Sequence, residues 1–462
     1  MTGQVVYLHV GAPKTGTTYV QDLLFRNRER LAQEGLLYAA DRFDDFFMAA
    51  LDLLELEWGG MGSQAAGAWD RLVERIRDWP GTVVISHEIL ASASPEQVQR
   101  AHRDLAPAEV HIIYSARDLG RQFPAEWQET VKHQRSNSFA TFLAEEKADY
   151  EASGSGWFWH VQTWPEVLER WGGPITPSHV HLVTVPPEGG RHDLLWDRFR
   201  ALLGIEPEWC TVPSDRTNPS LGSAETKVLR QINERVRGKL SNADYRYFVR
   251  EQLAHLTLAK RGTDVRATLP PTLYAWTRDV TATWLTRLRD AGYDVRGDLE
   301  ELQPAAPPDP DGWLDPDAPD PARSVGAAVA CIETLLFEAA RINGERLRTE
   351  TERDDTRREL AAAEQRARDG AAELHAHLAT PGREQFKRSV VQLGKEHRSL
   401  EVALNSYRRL RRRRVLPADS SLALGGQAGD GVSGSAGDRV GGPVGQPFDE
   451  SKDRLNGDAE HS

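Results

Sequence analysis

Short apolar runs alternate with longer amphipathic segments over the first two hundred residues of the chain. Four runs are apolar enough to be strands buried on both faces, as in a parallel sheet: residues 5–10, 82–86, 110–115 and 181–185. The segments between them carry apolar residues at helical spacing, as Val20, Leu23 and Leu24 do after the first run. This alternation predicts an α/β fold in which helices flank a parallel sheet.

Helices are expected between the predicted strands and beyond the last of them. They cover residues 19–30, 51–58, 69–79, 95–105, 164–171 and much of 225–288. The segment 293–299 is expected to close the α/β domain, which we place at residues 1–302. Residues 303–321 are rich in Pro and Asp and predict a linker.

Beyond the linker, two sets of apolar residues recur at alternating intervals of four and three, the heptad spacing of coiled coils. The first set runs from Val325 to Ala339 and the second from Phe386 to Tyr407. Pro381 and Gly382 interrupt the helix between them. Residues 322–415 are therefore predicted to form either a broken helical hairpin or a coiled-coil arm for self-association or a protein partner. Residues 416–462, rich in Gly, Ser and Asp, are expected to be disordered.

A basic run, from Arg408 to Arg414, ends the predicted arm. Its charge allows contact with anionic lipid, with nucleic acid or with the acidic tail that follows. We favour a solvated helix end beside the negative end of its own dipole over contact with a membrane surface.

Overall composition narrows the function classes. The net charge of -12 argues against general affinity for nucleic acid. The two cysteines, Cys210 and Cys331, lack the paired spacing of a disulfide framework or a cysteine zinc site. The sequence contains no apolar leader and no apolar run of membrane-spanning length. A cytoplasmic protein is expected.

The first apolar run leads into a turn rich in Gly, Lys and Thr, directly before a predicted helix. Gly11 and Gly16 let the backbone turn tightly, so consecutive N–H groups can face one anion at the positive end of the helix dipole. Lys14 adds a full positive charge, and Thr15, Thr17 and Thr18 add hydroxyl groups. The segment therefore predicts a phosphate-binding loop.

The order of residues in this loop separates it from the nucleoside-triphosphate loop, which needs Lys directly after its last Gly and then Ser or Thr for magnesium. Here Lys14 precedes Gly16. The segment Pro13-Lys14-Thr15-Gly16-Thr17-Thr18 instead resembles the 5′-phosphosulfate loop of sulfotransferases that use 3′-phosphoadenosine 5′-phosphosulfate (PAPS). The resemblance covers residues 4–300 and implies a P-loop sulfotransferase-like fold with PAPS as donor. It implies that Lys14 stabilises the leaving bridging oxygen while the rest of the loop holds the 5′-phosphate.

A second part of the resemblance is Tyr114-Ser115-Ala116-Arg117-Asp118-Leu119, at the end of the third apolar run. It is similar to the strand-end arginine by which the family binds the 3′-phosphate, and the guanidinium fork suits a phosphate. The family usually has a serine eight positions later, where this chain has Ala125. One hydroxyl contact is therefore missing, and either a neighbouring donor such as Arg121 replaces it or the donor is bound less tightly.

The second apolar run ends at His87 and Glu88, which are the candidates for the catalytic base. By resemblance, sulfotransferases of small molecules commonly use a histidine there and those of polysaccharides a glutamate. Adjacent residues of a strand point to opposite faces, so only one of them can reach the acceptor unless the chain turns. We prefer His87 because a neutral imidazole already has a pKa near neutrality.

Lys14, His87-Glu88 and Arg117 each follow a predicted strand, so a parallel sheet brings them to one edge. The sequence thus predicts a sulfotransferase that transfers a sulfuryl group from PAPS, without a metal, to a hydroxyl of a carbohydrate, lipid or secondary metabolite. Aromatic residues near Phe123 and Trp157 are either walls for such an acceptor or core. The alternatives are a sulfotransferase-like scaffold that has lost turnover and works through its helical arm, and a nucleotide kinase or triphosphatase.

Overall fold

The computed structural model describes residues 3–406 except 192, 217–219, 262–264, 306–311, 379–381, 397–401 and 404. The basic run that starts at Arg408 and the predicted tail at 416–462 lie outside the described residues.

Six parallel strands form one sheet in the order β2-β3-β1-β4-β5-β6. The α/β class expected from the sequence is therefore confirmed. The strands are β1 (Val5–Gly11), β2 (Leu36–Tyr38), β3 (Thr82–Ser86), β4 (Glu109–Ala116), β5 (Val180–Thr184) and β6 (Asp294–Arg296).

The chain leaves the central strand β1 toward β2 and β3 and then crosses to β4 on the other side. In such sheets ligands bind beyond the carboxyl ends of the strands, where the chain order reverses. Strand β1 is covered on both faces: Val6, Leu8 and Val10 are completely buried on one face, and His9, which points to the other, is 1% exposed. The polar residue between them, His9, is bonded to serines of both neighbouring strands, with Ser86 Oγ 2.8 Å from Nδ1 and Ser115 Oγ 3.0 Å from Nε2.

Helices connect the strands. Before β4 they are α1 (Thr17–Arg26), α2 (Arg28–Gln33), α3 (Asp45–Leu54), α4 (Gly62–Ala65), α5 (Ala68–Ile76) and α6 (Pro95–Leu105). Between β4 and β5 lie α7 (Leu119–Lys132), α8 (Phe139–Ala152), α9 (Trp157–Gln162) and α10 (Trp164–Gly172). After β5 come α11 (Leu194–Leu203), α12 (Ser223–Val236), α13 (Asn242–Asp244), a π-helix (Tyr245–His255), α14 (Tyr274–Asp290), α15 (Pro321–Leu378) and α16 (Arg383–Glu396).

Element boundaries differ from the sequence prediction where local turns intervene. The helix expected at residues 19–30 starts at Thr17 and is divided at Asn27 into α1 and α2. The helix expected at 51–58 lies earlier, because α3 ends at Leu54 with Glu55 in a left-handed conformation. The segment 293–299, where no strand was predicted, contains the sixth strand, β6, which pairs with β5.

The described residues divide into two compact units, of which the first extends to Leu335 and the second begins at Leu336. The first unit thus continues beyond the expected domain boundary at residue 302. Asp317, within the expected linker, accepts bonds from the N–H groups of Phe139 and Ala140, each at 2.9 Å, and pairs with Arg230 at 2.7 Å. No helix in the described part of the chain is long and apolar enough to cross a membrane.

Candidate functional site

The loop between β1 and α1 turns sharply at Gly16. Gly16 has a φ of 85°, a left-handed conformation that glycine adopts without a steric penalty. A Cβ at this position would lie only 2.7 Å from Leu195 Cδ2, so a side chain here would also force Leu195 or the loop to move. Lys14 has a positive φ as well, of 63°, which is uncommon for a residue with a side chain.

Donors from three other segments hold the carbonyl groups of this loop. Gln122 Nε2 donates to Pro13 O at 2.8 Å, and Gln162 Nε2 donates to the same oxygen at 3.2 Å. Arg117 Nη1 donates to Lys14 O at 3.3 Å. The loop conformation is therefore fixed by contacts to its carbonyl side, which leaves its N–H side for a ligand.

The start of helix α1 offers donors to an anion. The N–H groups of Thr17 and Thr18 precede the first intrahelical acceptors, and no side chain caps them at Gly16. An anion there would also meet the positive end of the helix dipole. Thr15 differs from the expectation, because its hydroxyl donates to Ala12 O at 2.6 Å and so serves the loop itself.

The side chain of Lys14 reaches a carboxylate of helix α7. Its Nζ forms an ion pair with Glu129. Three further basic side chains approach the same carboxylate: Lys132 at 3.4 Å, His133 at 3.3 Å and Arg250 at 3.6 Å. Burial disfavours the charge of Glu129, but Lys14, His133 and Lys132 hold its pKa well below the ordinary value. An anion that binds at the loop must therefore share Lys14 with Glu129 or displace it.

A second carboxyl group, Glu126, lies one turn earlier on α7. It is buried, and its Oε2 has no hydrogen-bond partner among the described residues. Burial raises the pKa of Glu126 to about 7; Lys14 opposes the rise and Glu129 adds to it. A carboxyl group with this pKa can take up or release a proton at neutral pH.

This polar face of α7 was not predicted from the sequence. Gln122, Glu126, Glu129 and His133 follow one another at intervals of four, three and four, so they lie on one side of the helix. That spacing was the available signal. It identifies a polar helix face, but not the loop that faces it.

Arg117 directly follows β4, as expected, and its guanidinium is largely enclosed. Burial lowers its pKa to about 10, with a further decrease from Arg121, so it remains a cation at neutral pH. Its buried Nε has no acceptor within the described part of the chain. A buried charged donor without an acceptor is costly, and a bound phosphate would remove that cost.

Arg121, the donor suggested as a substitute for the hydroxyl missing at Ala125, is already engaged by other groups. Its guanidinium pairs with Asp118 and donates to Pro186 O at 2.8 Å. Both contacts tie the start of α7 to neighbouring segments. The position of Ala125 itself, on α7, is half-buried.

The chain turns directly after β3, and this turn separates His87 from Glu88. His87 caps a short 3-10 helix, Glu88–Ser92, by accepting a bond from the N–H of Ile89 at its Nδ1, 3.2 Å away. Glu88 accepts a bond from Gln21 Nε2 of helix α1 at 2.9 Å. Burial lowers the pKa of His87; burial opposes the charge of Glu88, yet His87 and Gln21 keep the pKa of Glu88 below its ordinary value.

Aromatic rings connect His87 to His133, which neighbours the ion pair of Lys14 and Glu129. Phe47 lies 5.1 Å from the His87 ring, Trp58 lies 6.2 Å from Phe47, and His133 lies 5.5 Å from Trp58, between ring centroids. Phe47, Trp58 and His133 are partly exposed and form a wall that solvent reaches. The sequence suggested other aromatic residues as walls for an acceptor. Of these, Phe123, Trp127, Phe158 and Trp159 belong to the core, whereas Trp157 is 43% exposed.

The topology places the predicted site residues at one edge of the sheet. Glu88, Lys14 and Arg117 follow β3, β1 and β4, which are adjacent in that order. Arg117 bonds to the Lys14 carbonyl, and Glu88 is joined to α1 through Gln21. Comparisons of the chain with models of protein families, with curated proteins and with solved structures found no match.

Proposed function

We propose that the protein is a sulfotransferase with a P-loop sulfotransferase-like fold, which transfers a sulfuryl group from PAPS to a hydroxyl of a carbohydrate, lipid or secondary metabolite. The observation that carries the proposal is the pairing of two anion-binding elements at adjacent strand ends. One is the Lys14 loop before helix α1, and the other is Arg117, whose buried Nε lacks an acceptor in the described residues.

The donor would use both elements. The N–H groups of Thr17 and Thr18 suit its 5′-phosphate, and the guanidinium of Arg117 suits the 3′-phosphate that distinguishes PAPS from common nucleotides. When the sulfuryl group leaves, negative charge grows on the departing phosphate. Lys14 supplies a positive charge at that end of the loop, so it stabilises the transition state more than the ground state.

Three groups compete for the role of catalytic base. In neutral His87, Nδ1 accepts the Ile89 N–H, so Nε2 carries the hydrogen and acts as a donor. In this arrangement neither ring nitrogen of His87 is available to accept the proton of an acceptor hydroxyl. The lowered pKa of Glu88 makes it a weak base, although its position at the strand end is suitable. Glu126 has the best-matched pKa, about 7. Replacement of the true base by Gln should reduce kcat by about 10²–10⁴-fold and leave donor binding intact.

The acceptor is expected to lie against Phe47 and Trp58. Their partly exposed rings stand between His87 and His133 and give a flat apolar wall beside hydrogen-bonding groups. Sugar rings and aromatic metabolites pack well against such a wall.

Calorimetric titration of the full chain with 3′-phosphoadenosine 5′-phosphate, adenosine 5′-phosphate and Mg-ATP tests the proposal. We expect a clear preference for the 3′-phosphorylated nucleotide, and Arg117→Ala should remove that preference by weakening its binding about 10–100-fold. The matched control, Arg287→Ala, removes an exposed arginine that pairs with Glu169. Preference for Mg-ATP would indicate a kinase or triphosphatase.

Transfer itself is tested with Lys14→Ala in an assay that follows release of 3′-phosphoadenosine 5′-phosphate. Loss of turnover is expected; retained turnover would refute the mechanism. If the wild-type protein bound none of the three nucleotides, the scaffold alternative would replace the enzyme, with Ala125 as its sequence mark.

A further inference from the structure

A cluster of imidazole and carboxylate groups lies at the edge of the sheet opposite the Lys14 loop. Glu109 and His111 are the first and third residues of β4, so their side chains project from the same face. His179 ends the turn before β5. Because Ile112 of β4 pairs with Val180 of β5, His111 and His179 stand side by side, and their rings stack 4.2 Å apart.

The side-chain atoms of this cluster lie close enough together to share one ion. Glu109 Oε1 lies 2.9 Å from His111 Nε2 and 3.7 Å from His179 Nε2, and one ligand atom from each residue lies within 4.8 Å of the others. Ligands of a tetrahedral ion with bonds of about 2.05 Å are about 3.3 Å apart. The two measured separations lie on either side of that value. The rings of His111 and His179 are stacked with 19° between their planes, so the partly exposed His179 ring must turn before both nitrogens can face one ion.

The second nitrogen of His111 is held in the manner usual for a metal-ligating histidine. Its Nδ1 lies 2.8 Å from His181 Nε2, and His181 Nδ1 lies 2.7 Å from Asp294 Oδ2. Asp294 accepts a hydrogen from His181, and the neutral His181 then accepts one from His111. A neutral His111 is left with an unprotonated Nε2.

That unprotonated nitrogen faces an acceptor. In this arrangement the lone pair of His111 Nε2 points toward the carboxylate of Glu109, 2.9 Å away. Two acceptors at this distance repel unless a cation lies between them. Between them lies either a proton, with one additional proton held by the His111–His181 pair, or a metal ion that also binds His179.

We propose that Glu109, His111 and His179 form a zinc site, with water as the fourth ligand. Two imidazoles and one carboxylate favour Zn²⁺ over Mg²⁺ or Ca²⁺, which prefer oxygen ligands. Glu109 and His179 are partly exposed, with 54% and 32% of their side chains accessible, so the ion can enter from solvent. The site joins the start of β4 to the turn before β5. It is independent of the proposed transfer reaction at the other edge.

The experiment uses the full chain without a polyhistidine tag, first treated with a chelator and then titrated with ZnCl₂ or MgCl₂ in a calorimeter. We expect one Zn²⁺ bound per chain, a higher Tm with Zn²⁺ and no response to Mg²⁺. Co²⁺ in place of Zn²⁺ should give the intense visible absorption of a tetrahedral site.

Two variants localise the ion. His179→Ala, which removes a partly exposed ligand and should not disturb folding, is expected to weaken Zn²⁺ binding more than about tenfold. The matched control, His375→Ala, removes an exposed histidine of α15 and should bind as the wild type does. Absence of Zn²⁺ uptake, or equal affinity of wild type and His179→Ala, would overturn the proposal and leave a protonated His111 paired with Glu109.

Discussion

The ion pair between Lys14 and Glu129 determines the charge that a ligand meets at the loop. Glu129 is held ionised by Lys14, His133 and Lys132. It therefore neutralises positive charge that would otherwise attract an anion. In a sulfotransferase, donor binding would involve competition between Glu129 and the donor for the same lysine.

This competition gives the first prediction, on the variant Glu129→Gln. Loss of the negative charge should increase affinity for 3′-phosphoadenosine 5′-phosphate about fivefold, equivalent to ~1 kcal/mol, in calorimetric titration at pH 6. The control is Glu126→Gln, because Glu126 is mostly protonated below its pKa of about 7 and Gln changes little charge there. Equal effects of the two variants at pH 6 would contradict this account of Lys14.

Glu126 gives a second prediction, on stability. Its folded-state pKa of about 7 lies above its ordinary value of 4.5, so the folded protein holds this proton more tightly than the unfolded chain does. Ionisation of Glu126 should therefore reduce stability as pH rises from 4.5 through 7, by up to ~3 kcal/mol.

Glu126→Gln removes that loss. The Tm of the variant, relative to wild type, should rise between pH 5 and pH 8 in thermal unfolding followed by circular dichroism. Glu74→Gln, on an exposed site of α5, should keep a constant difference from wild type over the same range. A constant difference for Glu126→Gln too would show that Glu126 has an ordinary pKa.

At the scale of elements, the turn from β1 into α1 depends on Gly16. Gly16→Ala should lower both Tm and affinity for 3′-phosphoadenosine 5′-phosphate, because Ala is disfavoured at a φ of 85° and its Cβ would collide with Leu195. Either the loop or the Leu195 side chain must shift to relieve the collision.

Gly204→Ala is the matched control for this prediction. Gly204 follows α11 with a φ of 66°, but an added Cβ would meet no atom within 4 Å. It carries the same conformational penalty, of about 1 kcal/mol, without a collision. Its Tm should fall while nucleotide affinity stays unchanged. If Gly16→Ala also kept its affinity, the loop would not be the nucleotide site.

Most of the sheet could be predicted from the sequence because its central strands are buried on both faces. The run at residues 82–86 is β3 with the same bounds, and the runs at 110–115 and 181–185 differ from β4 and β5 by one residue at each end. The edge strands β2 and β6 have three residues each, and β6, Asp294-Val295-Arg296, has no apolar run. Pairing with a neighbouring strand, rather than its own pattern, makes it a strand.

The candidate site was less predictable, for a physical reason. Residues that end strands could be placed at one edge from topology alone, as Lys14 and Arg117 were. Glu126 and Glu129 lie on a polar face of α7. That face is part of the candidate site only because it packs against the Lys14 loop, which lies more than one hundred residues earlier in the chain. The tautomer of His87 likewise follows from the turn after β3, since the Ile89 N–H uses its Nδ1.

At the scale of the whole molecule, the helix α15 belongs to both compact units. Near its start, Ala327 and Cys331 are buried, and Thr334 bonds to Thr257 at 2.8 Å, so this part is integral to the first unit. A truncation after residue 302 would remove these contacts. A truncation after Leu335 retains them and is the appropriate way to separate the α/β unit for binding experiments.

The predicted heptad positions of α15 lie on a different side from those anchors. Val325, Val329, Ile332 and Leu336 are 57–65% exposed, so their apolar side chains are available to another helix. If they form a coiled-coil seam between copies of the chain, light scattering should give a mass at least twice the 51.6 kDa of one chain.

Charge placed in that seam should separate the copies. Ile332→Lys combined with Leu336→Lys adds two positive charges at apolar heptad positions, and the measured mass should fall to that of one chain. Glu333→Lys changes the net charge by the same amount at an exposed position outside the seam and should preserve the oligomer. A wild-type mass of 51.6 kDa, or an oligomer that survives the double substitution, would exclude the coiled coil and leave the hairpin as the arrangement of this arm.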